Sequence, residues 1–183
     1  MNPIRIISSL ILTNFMSATN PYSTTYPTTY PTTYPATTYP CGYDMITDTV
    51  AIGDKYSSYE FFDVIVNLKF PLNNVLEKDI YITKYLDKTV YYIGVFEESN
   101  QGVMLSLIKE LIPELALRKQ NNPNLRVLFH CFDGISRSAT MAIAYLVKSL
   151  QISLDDALYI SKIKRPIVKI NDVFLRDLEM YYL

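Results

Sequence analysis

Residues 130 to 140 read HCFDGISRSAT, which puts the thiol of Cys131, the guanidinium of Arg137 and the hydroxyl of Ser138 within one short stretch. A thiol beside an arginine and a helix amino terminus can be acidified toward the thiolate, so Cys131 is a candidate nucleophile. The planar fork of Arg137 can hold two oxygens of a tetrahedral anion at once. Together they suit attack on phosphorus followed by hydrolysis of a covalent intermediate, a route that uses neither metal nor cofactor. Ser138 is placed to hydrogen-bond the sulfur as it leaves. His130, the single histidine of the chain, stands next to the thiol.

Such a loop needs a strand to deliver it and a helix to close it. The apolar run at 126–129 reads as the strand, and Ala139, Ala142, Ile143, Leu146 and Leu150 repeat at helical spacing after the loop. Phe132, Asp133, Gly134, Ile135, Ser136 and Arg137 then form the turn between them. Their backbone N–H groups and the helix dipole make an anion-binding nest, with Gly134 supplying the permissive backbone. Asp133 is expected to face solvent.

Further strands are expected at 49–52, 64–68 and 90–95, whose continuous apolar character implies a sheet covered on both faces. An amphipathic helix is expected over 103–119, kinked or split at Pro113. Two more helical patterns follow, with Leu154, Leu158 and Ile163 on one face and Phe174, Leu178 and Tyr181 on the other helix. The fold class is therefore α/β: a central, mostly parallel sheet flanked by helices, with a helical carboxyl-terminal cluster.

The segment HCFDGISRS resembles the His-Cys-x5-Arg-Ser loop of the cysteine-based dual-specificity protein phosphatases. The likeness extends to Ala139–Leu146, to Arg165 within Ile-Lys-Arg-Pro, to Asn171–Leu178, and to residues 44 to 70 as opening strands. It implies a phosphatase-like domain that hydrolyses phosphotyrosine and phosphoserine or phosphothreonine on protein substrates through a cysteinyl-phosphate. It also implies that His130 orients the cysteine and loop.

The resemblance further requires a general acid, an aspartate two residues past an apolar position that corresponds here to Val95. This chain has Phe96, Glu97, Glu98 and Ser99 there. Glu97 aligns best and Glu98 is the fallback. Without a correctly placed acid, a rate contribution of about 10²–10⁴ is lost. The alternative reading is thus a phosphate-binding module with little turnover. The loop interior carries no lysine, unlike phosphatases of the same superfamily that act on inositol phospholipids.

Composition narrows the partners. A net charge of −1 offers no basic field, so neither nucleic acid nor an anionic membrane surface is expected. Cys41 and Cys131 make no disulfide framework or metal spacing, which suits a reducing compartment, cytoplasmic or nuclear. The first twenty residues are too polar to span a bilayer. Residues 22 to 40, YSTTYPTTYPTTYPATTYP, are low complexity with polyproline-like stiffness. Residues 1 to 40 accordingly read as a disordered extension and 41 to 183 as the catalytic domain.

Overall fold

The computed structural model describes residues 42–69 and 77–182, together with the backbone of Ile6–Ile7. The remainder of the 1–40 extension, with Cys41, lies outside the described residues.

The strands are β1 (Ile6–Ile7), β2 (Tyr43–Thr47), β3 (Val50–Gly53), β4 (Val64–Asn67), β5 (Ile80–Tyr85), β6 (Lys88–Ile93) and β7 (Val127–His130). The helices are α1 (Val103–Asn121), α2 (Arg137–Leu150), α3 (Leu154–Lys164) and α4 (Asp172–Tyr182). One sheet runs in the order β1-β5-β6-β4-β7-β3-β2. Its centre, β6-β4-β7-β3, is parallel throughout, while β2 and β5 add antiparallel pairings at the flanks.

Alternation along the strands divides the core in two. Val64, Val66, Val127 and Phe129 face a large cluster to which all four helices contribute. Ile65, Val90 and Leu128 face the opposite side, where Phe62, Tyr59 and Tyr43 cover them. Both faces of the central strands are therefore dry, which is why these strands lack polar alternation.

The strands expected from sequence are present within two residues of their expected ends, and the α/β class is the observed one. Two strands escaped the sequence reading, β1 and β5, and β2 was covered only by the resemblance of residues 44 to 70 to opening strands; all three lie outside the parallel centre. Two helix expectations are corrected in part. Helix α1 continues through Pro113 without splitting. Pro113 and Lys109, whose carbonyl loses its helical donor, both lie on the exposed face, where water can replace the missing N–H. Helix α3 packs Leu154 and Leu158 against the core as expected, beside the buried Ala157 and Ser161, but Ile163 is exposed. Small residues let α3 approach closely.

Candidate active site

The carboxyl ends of the parallel strands meet where β7 lies between β4 and β3, and here the chain leaves β7 through His130 into Cys131. In open α/β sheets this is where ligands bind. Cys131 is 2% exposed. Its Sγ accepts from the Gly134 N–H at 3.2 Å and lies 3.3 Å from the Ser138 hydroxyl, which is also 3.4 Å from the Gly53 carbonyl. The backbone N–H of Cys131 donates to the same Gly53 carbonyl at 3.3 Å.

The carbonyls of residues 132 to 136 all have donors, four of them from distant segments and the last from α2. The Phe132 carbonyl accepts from the Lys55 N–H at 3.0 Å, that of Asp133 from Arg165 Nη2 at 3.4 Å, and that of Gly134 from Arg165 Nε at 2.8 Å. The Ile135 carbonyl accepts from the Lys169 N–H at 3.0 Å, and that of Ser136 from both the N–H and the hydroxyl of Thr140 at 2.9 Å. In a trans peptide the N–H points opposite to the carbonyl of the same unit. Five outward carbonyls in succession therefore turn the N–H groups of residues 133 to 137 inward, toward the space above Cys131. That arrangement is an anion nest.

Gly134 is indispensable to this turn. Its φ is +69°, and a Cβ would stand 2.7 Å from the Gly53 carbonyl oxygen and collide with the Arg165 guanidinium. Arg165 itself is 1% exposed and paired with Asp44 at 2.6 Å. Burial pushes the Asp44 carboxyl up, and the guanidinium beside it partly offsets this.

Arg137 is the first residue of α2. Its Nη1 donates to the carbonyls of Leu68 at 3.2 Å and Val95 at 3.4 Å, while its Nε donates to Glu97 Oε2 at 3.0 Å. The other oxygen of Glu97, Oε1, accepts from Asn171 Nδ2 at 2.9 Å. Glu97 is thus gathered at the loop, whereas Glu98 is exposed. Asp133 is likewise exposed. Phe132 is 39% exposed at the rim, with the Lys55 ammonium 4.0 Å above its ring.

His130 lies beneath the loop. The Tyr59 hydroxyl is 2.6 Å from its Nε2, and its carbonyl accepts from the Leu68 N–H at 2.8 Å. Burial, helped by the positive charge of Lys69, pushes the imidazole pKa down to about 3. It is neutral near pH 7 and serves as a packed support. Among the described residues no three His, Cys, Asp or Glu side chains gather as a metal set.

Sequence reading missed Asp44, Tyr59, Leu68 and Val95 as parts of this site, and gave Arg165 and Asn171 no role. Leu68 and Val95 act through backbone carbonyls, which carry no side-chain signal. Asp44 and Arg165 are 121 positions apart.

A family model described as the dual specificity phosphatase catalytic domain matches residues 105–182. A protein of Invertebrate iridescent virus 6 named as a tyrosine phosphatase is 46% identical over 129 residues, which are 70% of this chain and 80% of that one. The chain belongs to the dual-specificity phosphatase family. A dual specificity protein phosphatase of Dictyostelium discoideum is 49% identical over 112 residues, 61% of this chain. The chain spans about a quarter of that relative's length, 26%. Among solved structures, a mouse dual specificity phosphatase complexed with zinc tungstate covers 81% of this chain and 91% of its own at 18% identity, with a TM-score of 0.63. That likeness shows the fold. Glu97 lies before the span that the family model matches, so its part in a phosphatase rests on geometry.

Proposed function

We propose that this dual-specificity phosphatase family member hydrolyses phosphotyrosine and phosphoserine or phosphothreonine in protein substrates. The observation that carries the reading is the inward nest of N–H groups above Cys131. A phosphate dianion there meets these donors, the α2 dipole and the Arg137 fork.

Cys131 Sγ attacks phosphorus; the S–P bond forms, the ester P–O bond breaks, and Glu97 gives the departing oxygen its proton. Water then attacks the cysteinyl-phosphate, and Glu97 takes its proton. The S–P bond breaks, inorganic phosphate leaves, and Ser138 donates a hydrogen bond to the returning thiolate. Glu97 performs the acid step that the family assigns to an aspartate, and its distance to Arg137 supports that assignment over the binding-module reading. Before substrate arrives, Glu97 occupies Nε of the fork, so phosphate must displace it there.

The test is hydrolysis of p-nitrophenyl phosphate and of a phosphothreonine peptide by wild type, Cys131→Ser and Glu97→Gln. Cys131→Ser should be inactive on both. Glu97→Gln should lose about 10²-fold or more on the peptide and much less on the aryl ester, whose leaving group needs little protonation. Activity in Cys131→Ser would sink the covalent route, and unchanged peptide turnover in Glu97→Gln would remove Glu97 as the acid. Among the described residues no helix is long and apolar enough to cross a membrane.

A further inference from the structure

The segment carrying Glu97 runs from the end of β6 to the start of α1, and both of its ends are fastened to α4. At one end Asn171, immediately before α4, donates from Nδ2 to the Glu97 carbonyl at 3.0 Å and to Glu97 Oε1 at 2.9 Å. At the other end the Asp177 carboxylate, within α4 and fully buried, accepts from the Gly102 N–H at 2.8 and 2.9 Å and from the Leu105 N–H at 3.1 Å. Between them the turn is closed internally, with Ser99 Oγ accepting from the Phe96 N–H at 3.0 Å.

Asn171 is tied down on its own side. Its Oδ1 accepts from the Phe174 N–H at 2.8 Å, which caps α4, and its backbone N–H donates to Ser136 Oγ at 3.3 Å, within the anion loop. One side chain thus links the anion loop, the α4 terminus and the carboxylate. The amide has two faces: the oxygen is spent on the helix, and the nitrogen points at Glu97.

We infer that Asn171 is the positioning residue for the acid step, holding Glu97 by Oε1 so that Oε2 stays at the anion site when phosphate displaces it from Arg137. Glutamate is one methylene longer than the aspartate this position usually carries, and the extra rotatable bond lets a carboxylate swing to solvent. The Glu97 side chain is already 39% exposed. Once Arg137 is engaged with phosphate, Asn171 is the tether that remains. This inference rests on the phosphatase reading above.

The experiment is a double-mutant cycle between Asn171→Ser and Glu97→Gln, read as the ratio of kcat/KM for a phosphothreonine peptide to that for p-nitrophenyl phosphate. Serine keeps the cap on α4 but cannot reach Glu97. The ratio should fall about tenfold or more in Asn171→Ser. In the Glu97→Gln background the same change should have no further effect, since there is no acid left to position. Asn171→Asp, which keeps the cap and repels Glu97, should lower the ratio as Asn171→Ser does, so that either variant alone tests the inference if the other does not fold. The acidic-to-neutral pH profile of peptide turnover should flatten in step with the ratio. A ratio unchanged in either Asn171 variant, or equal losses with and without Glu97, overturns the inference and leaves a purely structural asparagine. A wild type inactive on both esters instead overturns the phosphatase reading and this inference with it.

Discussion

At the residue scale, the pair that opens the loop divides its duties. Cys131 is held for chemistry, while His130 is kept neutral by burial. Its imidazole has a folded value of about 3 against an ordinary 6.5. The unfolded chain therefore takes up a proton below pH 6.5 that the folded chain refuses until near pH 3. This contribution is fully present above 6.5 and is lost as the pH falls, by about 1.4 kcal/mol per unit. Because the chain has a single histidine, urea unfolding between pH 7 and pH 5 isolates it. Wild type should lose about 2 kcal/mol over that interval, and His130→Gln less than half as much. Equal losses in the two proteins would show that His130 is not what titrates. Gly134→Ala should be costlier than its size suggests. The positive φ alone costs about 1–2 kcal/mol, and relief of the clash with Gly53 must open the loop. Phosphate affinity should fall with stability, measured by inhibition of turnover and by the urea midpoint.

The residues legible from sequence were those whose partners are close along the chain: Cys131, Gly134, Arg137 and Ser138 share one turn. Glu97 was reached only through resemblance, and its second holder, Asn171, lies 74 positions away. Nothing in local spacing announces a contact of that range. The same holds for the Lys55, Arg165 and Lys169 donors that fix the direction of the loop's peptides.

At the element scale, α1 makes the same point. Its N-cap is Gly102 with no side-chain cap and no acidic residue in its first turn, so the sequence around residue 103 contains no start signal. The cap comes from α4, where Asp177 satisfies two of the orphan N–H groups. Asp177→Ala should destabilise the fold by about 1–3 kcal/mol by stranding those donors. A shift in urea midpoint below a few tenths of a kcal/mol would show that water replaces the carboxylate there. The strands divide similarly. Every central parallel strand was readable, since burial on both faces forces an apolar run. β2 and β5, which no apolar run marks, are only partly buried, so polar residues interrupt their pattern. In helix α3 Ile163 is exposed, and the most deeply buried positions are Ala157 and Ser161, which hydrophobic periodicity overlooks although they share a face with Leu154 and Leu158.

At the scale of the molecule, the proposed function makes the nest an anion site, and an anion that binds only the folded chain adds to folding stability. Tungstate at one hundred times its dissociation constant should raise the unfolding free energy by about 2.7 kcal/mol. Arg137→Ala should abolish most of that gain, followed by thermal or urea unfolding with and without the anion. Stabilisation unchanged by Arg137→Ala would place the anion elsewhere.

The outward-bound carbonyls of residues 132–136 also bear on how the chain matures. Their donors come from the segment after β3, from α2, from the end of α3 and from the stretch before α4. The brace between Asp44 and Arg165 closes a loop of 121 positions. Contacts so distant in sequence are slow to form, because closing them costs chain entropy before any bond is gained. Until they form, nothing dictates which way the peptides around Cys131 turn. A nascent or partly folded chain, although it already contains the thiol and the arginine, would therefore be catalytically silent, and the acquisition of activity during refolding should trail the recovery of helical signal.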